Sequence, residues 1–111
     1  MDGFLEDWDM RVIAYGRVNQ ENKIDKELKE QIADVIQFCE QRGDRVVDTV
    51  WECCSGSHIG DMLKVSVEKC RNGEADGIAV SDVSRISRNM VDVNEVARDM
   101  EGFGGQFVMC G

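Results

Sequence analysis

Three short stretches of this chain hold residues that can do chemistry: GRVN at residues 16–19, ECCSGS at 52–57 and SRISR at 84–88. Their arginines, Arg17, Arg85 and Arg88, carry planar donor forks suited to bidentate contact with phosphate oxygens and to charge developing on phosphorus during transfer. Ser55, Ser57 and Ser84 add hydroxyls, and Glu52 adds a carboxylate. Taken singly, each arginine reads as a surface residue paired with a nearby acid such as Asp82 or Asp92, and such pairs contribute little. A site exists only if the backbone brings the three stretches to one edge.

The elements that must do so follow from a hydrophobic period that switches between two and 3.6. Residues 11–15 read as a buried strand, followed by a helix with Leu28, Ile32, Val35, Ile36 and Cys39 on one face and Gly43 placed to close it. Residues 45–51 are β-branched and read as a second strand. Leu63, Val67 and Cys70 mark a second helix that stops at Gly73, and residues 77–80 form a short third strand. Val93, Val96, Ala97 and Met100 line a third helix ending near Gly102, and residues 106–109 make a last strand. This alternation predicts an α/β fold: a three-layer domain with a mainly parallel sheet of four or five strands flanked by helices. Ligands bind such sheets at the carboxyl ends of the strands. Each of the three stretches follows a strand, so Arg17, Arg85 and Arg88 are expected to line one anion cleft.

The 111 residues supply one core, read as a domain over 11–111 behind an acidic arm over 1–10, where Asp2, Glu6, Asp7 and Asp9 interleave with Phe4, Leu5 and Trp8. A hydrophobic fraction of 42% and a charged fraction of 32% are those of a globular protein. Thirteen basic against twenty-two acidic residues give a net charge of -9, which disfavours non-specific nucleic-acid binding outside a focused basic patch. The five cysteines are odd in number, without C-x-x-C spacing, and no apolar stretch reads as a signal peptide or membrane span. A reducing cytoplasm and no membrane partner are expected. Cys53, Cys54 and His58 match no structural-zinc pattern, and no glycine-rich phosphate loop follows the first strand, so neither a metal nor a cofactor is expected.

In their order and spacing these motifs resemble the catalytic domain of the serine recombinases, the resolvases and invertases that cut and rejoin DNA. Tyr15, Gly16, Arg17, Val18 and Asn19 stand where that family has Tyr-x-Arg-Val-Ser; FCEQRG at 38–43 closes the first helix; Glu52 precedes Ser-Gly-Ser at 55–57; and Ser84, Arg85, Ile86, Ser87 and Arg88 match the third loop. The resemblance covers nearly the whole chain from Arg11. It implies a resolvase-like fold in which a serine hydroxyl attacks a DNA phosphodiester while arginines bind the phosphate. It puts Arg17, Arg85 and Arg88 on those arginines with Ser57 beside them, Glu52, Ser55 and Ser84 in support, and Asn19 on the nucleophile.

A carboxamide has no activatable group with which to form the ester intermediate. A second departure is Asp61, near the place where the family carries a further phosphate-binding arginine. The resemblance therefore implies a catalytically inactive relative of a mobile-element recombinase. Such a chain would act as a regulatory or protein-interaction module, meeting a protein partner or a second copy through its helices and acidic arm, and DNA only through the arginine cleft. The alternative is the catalytic domain of a site-specific recombinase, as a fragment or nucleophile variant. A third reading is a small-anion or nucleotide binder that uses the arginine cleft without DNA.

Overall fold

The computed structural model describes residues 10–110; the acidic arm, apart from Met10, lies outside them. Four strands, β1 (Arg11–Val18), β2 (Arg45–Cys53), β3 (Gly77–Val80) and β4 (Gln106–Met109), form one all-parallel sheet in the order β2-β1-β3-β4. Helices α1 (Lys29–Arg42), α2 (Asp61–Arg71) and α3 (Met90–Gly102) make the crossovers.

Alternation along β1 divides the core. Val12 and Ala14 face α1, where they meet Val35, Cys39, Ala79 and Val108. Ile13 and Tyr15 face the other way and join Ile78 and Val80 against Leu63, Val67 and Cys70 of α2 and Val93 and Met100 of α3. The result is the expected three-layer arrangement, with one helix on one face and two on the other.

The order of strands also places the functional edge. The chain leaves β1 for β2 on one side, then returns across the sheet to β3 on the opposite side. The connections after β1 and β3 therefore diverge, and a crevice opens between the carboxyl ends of those two strands. That is the end where the residues after β1 and β3 lie.

Local sequence explains the element ends. Gly43 ends α1 in the left-handed conformation at φ 90°, donating its N–H to Cys39 and Glu40, a geometry that a side chain would strain. Asn89 caps α3 by accepting from the N–H of Val91 at 3.0 Å.

Two strands run longer than the sequence predicts. β1 continues through Gly16, Arg17 and Val18 because β2 stays in register with it, Gly16 against Trp51, Arg17 against Glu52 and Val18 against Cys53. Arg17 and Glu52, expected on loops, are thus strand residues. The helix expected from Leu28 begins at Lys29, and Leu28 closes a π-helical turn, Ile24–Leu28.

All five cysteines are free. Burial pushes the thiols of Cys39 and Cys70 up to about 11, so little of the nucleophilic thiolate forms near neutrality. Both should resist iodoacetamide at pH 8 in the native protein and react after unfolding, a contrast that mass spectrometry of the alkylated peptides would read directly.

Candidate functional site at the carboxyl edge of the sheet

Arg17 is the centre of this edge. It is 2% exposed, and its guanidinium is engaged on all sides: Nε donates to the carbonyl of Arg85 at 3.2 Å, Nη1 to that of Cys54 at 3.0 Å and Nη2 to that of Ser84 at 2.6 Å. One side chain in β1 thereby ties the segment after β2 to the segment after β3. Gly56 lies against it, and a Cβ there would stand 2.6 Å from Arg17 Nη2, so the loop can close over the guanidinium only with glycine at this position.

The main chain of Arg17 is held as firmly. β3 pairs with β1 only from Val12 to Ala14. Further along, the carboxamide of Gln31 takes the place of a neighbouring strand, accepting from the Arg17 N–H at 2.9 Å and donating to its C=O at 3.2 Å. Gln31 was not anticipated as a site residue. Its signal in the sequence is a polar residue on the buried stripe of α1, between Leu28 and Val35, where burial demands hydrogen-bond partners.

Arg85 follows from the 3₁₀ turn Val83–Arg85. Its Nη1 donates to the Arg17 carbonyl at 3.0 Å, and its guanidinium lies 3.8 Å from Glu27 and 3.9 Å from Asp82. Asp82 caps the turn, accepting from the N–H of Ser84 at 2.9 Å and from the Ser84 hydroxyl. Those hydrogen bonds hold the Asp82 carboxyl below the usual carboxylate range. Hydrogen bonds from Arg11 do the same for Asp76, and one from Lys69 for Asp48.

A carboxylate with a depressed folded pKa contributes stability that is present above its unfolded value, about 4. That contribution is lost as pH falls through the folded value. The midpoint of urea unfolding is therefore expected to hold steady near neutrality and to drop below about pH 4. Asp82→Asn should make that drop shallower.

The remaining residues sit nearer to solvent. Arg88 is exposed, and its main-chain N–H donates to Gly56 at 2.8 Å. Ser55 and Ser57 are exposed, their hydroxyls 3.0 Å apart. Asn19 stands just past the end of β1, exposed, with its carboxamide oxygen accepting from Lys23 Nζ at 3.4 Å. Asp61 opens α2, also exposed. The edge thus brings Arg17, Arg85 and Ser84 into one hydrogen-bonded cluster, but two of the three arginines spend donors on main-chain carbonyls. At Arg17 the guanidinium is buried and all three of its nitrogens donate to main-chain carbonyls.

Glu52 has a comparable task one strand away. α2 starts behind Gly60, which has no side chain to cap it. Glu52 reaches across instead, accepting from the N–H groups of Met62 and Leu63, each at 3.1 Å, and from the Tyr15 hydroxyl. A carboxylate there also complements the positive end of the helix dipole. Burial, reinforced by the neighbouring carboxylate, drives the Tyr15 phenol well above its ordinary range, so it stays a donor. His58 lies 3.6 Å from Asp92, and no group of His, Cys, Asp or Glu among the described residues is arranged to hold a metal ion.

A parallel α/β domain with these segments at one edge is the fold of serine recombinase catalytic domains. Solved structures with this fold include the C-terminal catalytic domain of ISC1926 TnpA, an IS607-like serine recombinase, at TM-score 0.83 and 17% identity over 91% of this chain and 70% of that one. The N-terminal catalytic domain of TP901-1 integrase matches at TM-score 0.78 and 22% identity, over 89% and 75%. A serine recombinase from Sulfolobus solfataricus matches at 0.68 and 20%, over 91% and 70%. No curated protein matches the chain. The family described as Resolvase, N terminal domain, matches residues 12–111, and the chain belongs to it. Among the described residues no helix is long and apolar enough to cross a membrane.

Proposed function

We propose that this chain is a serine-recombinase-type domain that does not itself break DNA and acts as a regulatory or protein-interaction module. The observation that carries the reading is the state of Arg17: a guanidinium 2% exposed and bound to three main-chain carbonyls is spent on holding loops together rather than offered to a phosphate. Asn19 supports it, since an amide at the mouth of β1 has no oxygen that can be activated to attack phosphorus. The acid at Asp61, in the first turn of α2, adds repulsion where a scissile phosphate would need a cation.

Membership of the resolvase family favours a second reading, the catalytic domain of a site-specific DNA recombinase as a fragment or nucleophile variant. Both readings allow pairing with a second copy, and they part on chemistry. Supercoiled plasmid incubated with the protein and resolved in denaturing detergent should contain no covalent protein–DNA adduct, with the unaltered chain or with Asn19→Ser. An adduct with the unaltered chain overturns the proposal. An adduct only with Asn19→Ser replaces it by the second reading, because the rest of the site would then be competent. In parallel, phosphate and short duplex DNA should leave the melting temperature unchanged at fixed ionic strength, since a ligand bound only by the folded state must raise it.

A further inference from the structure

Helices α2 and α3 cover the same face of the sheet, and between them runs a groove of about 340 Å³. Its floor is apolar: Ile59 just ahead of α2, Val67 of α2 and Val96 of α3, all packed on the core of this face. Its walls are charged. α2 contributes Lys64, Glu68 and Arg71, and α3 contributes Asp92, Glu95 and Asp99. On each helix these residues run along two turns, about 10 Å at 1.5 Å per residue.

The charges on the two walls do not cancel. Arg71 is committed within α2, its Nε 3.1 Å from Glu68 and its guanidinium 4.8 Å from the centre of the Phe103 ring. Asp92 has only His58, at 3.6 Å. Glu95 and Asp99 are exposed, and among the described residues their carboxylates meet no hydrogen-bond or ion-pair partner. They stand at i and i+4, a like-charge spacing that disfavours the helix carrying it. Asp99 also lies in the last turn of α3, at the negative end of the helix dipole, where no basic residue offsets it. A row of acids that strains the free domain is relieved when cations reach it from outside.

We propose that this groove docks an amphipathic helix of a partner protein, with the apolar stripe of that helix on Ile59, Val67 and Val96 and a row of its arginine or lysine side chains along Asp92, Glu95 and Asp99. The groove thereby supplies a partner-facing surface for the protein-interaction reading proposed above, on which this inference rests. A helix laid along α3 advances at the same rise, so cations recurring every three and four residues keep step with acids spaced by three and four. An extended peptide sets its same-side cations about 6.6 Å apart and misses the shorter interval, about 4.5 Å. Lys64, on the opposite wall, leaves a place for one acid on the partner's other flank. The three carboxylates disfavour anionic membrane surfaces and nucleic-acid backbones, and the chain's own residues 1–9 hold four acids and no basic side chain.

The probe is a fluorescein-labelled, capped helical peptide with a leucine stripe, arginines along one flank and a glutamate on the other, titrated with the full chain and read by fluorescence anisotropy. It should bind, and Glu95→Lys/Asp99→Lys, a change of two exposed side chains, should weaken binding at least about tenfold. Glutamates in place of the peptide's arginines should have a similar effect, and the reversed peptide should regain most of the affinity with the reversed protein. Glu30→Lys/Asp34→Lys makes the same change in net charge on α1, across the sheet, and should weaken binding by less than about twofold, since distant surface charges are screened. No measurable binding overturns the proposal, and so does equal weakening by the two double variants, because the attraction is then to net charge alone. Self-association of the unaltered chain that Glu95→Lys/Asp99→Lys abolishes, read by sedimentation, also overturns it by assigning the groove to a second copy. A peptide that fails to bind leaves the absence of DNA cleavage standing, and a covalent plasmid adduct leaves the groove standing, so the two readings fail separately.

Discussion

Arg17→Met is expected to destabilise the domain by about 3–5 kcal/mol, enough to unfold much of it at room temperature if its total stability lies in the usual 5–15 kcal/mol range. The side chain links β1 to the carbonyls of Cys54, Ser84 and Arg85. Methionine fills similar space but strands three carbonyls without donors, each at a cost of about 1–3 kcal/mol, offset in part by relief of the buried charge. Arg17→Lys should recover only part of the loss, because one ammonium cannot reproduce a planar fork that spans carbonyls on two loops. At about 4–8 °C per kcal/mol for a domain of this size, calorimetry should show a melting temperature more than about 12 °C lower for the methionine variant. A ligand-binding arginine kept out of the structural network would instead leave the melting temperature nearly unchanged when replaced.

Glu52→Ala is the second large effect, about 3–4 kcal/mol from the loss of a charged helix cap and the stranding of a buried phenol. The carboxylate accepts from Tyr15 and from the first free N–H groups of α2, at Met62 and Leu63, and with Gly60 at the cap position no other side chain takes over. Glu52→Gln is more informative. Its amide nitrogen must replace one of two oxygens, each of which accepts from a helix N–H, Met62 on Oε1 and Leu63 on Oε2, so one N–H loses its acceptor in either orientation and the change should cost about 2 kcal/mol although the shape is retained. Urea unfolding should show a lower midpoint at an unchanged slope. Amide exchange should speed up at Met62 and Leu63 before it does at β1, because the cap fails locally first.

These two residues mark the boundary between what can be read along the chain and what cannot. The four strands, three helices and their order are visible in the sequence because apolar periodicity and the helix-ending glycine at Gly43 are local signals, carried by neighbours three or four residues apart. The three segments that hold Arg17, Ser55 and Arg85 are legible for the same reason: once the strands are known to be parallel, residues just past their carboxyl ends must share one edge of the sheet.

What the sequence leaves open is how each side chain spends its hydrogen bonds. Arg17 is expected from the sequence to line an anion cleft or to pair with a nearby acid, and the partners its guanidinium meets are carbonyl oxygens. Every residue carries such an oxygen, so composition gives no hint of which ones a guanidinium will find. Gln31 standing in for a missing strand, and Glu52 capping a helix that starts nine residues later in the chain, are likewise products of β3 ending early and α2 packing back on β2. The sequence alone determined the layered fold and the edge where function gathers. Tertiary structure decided which charges at that edge are still available, because only folding brings main-chain dipoles from distant segments within hydrogen-bonding distance.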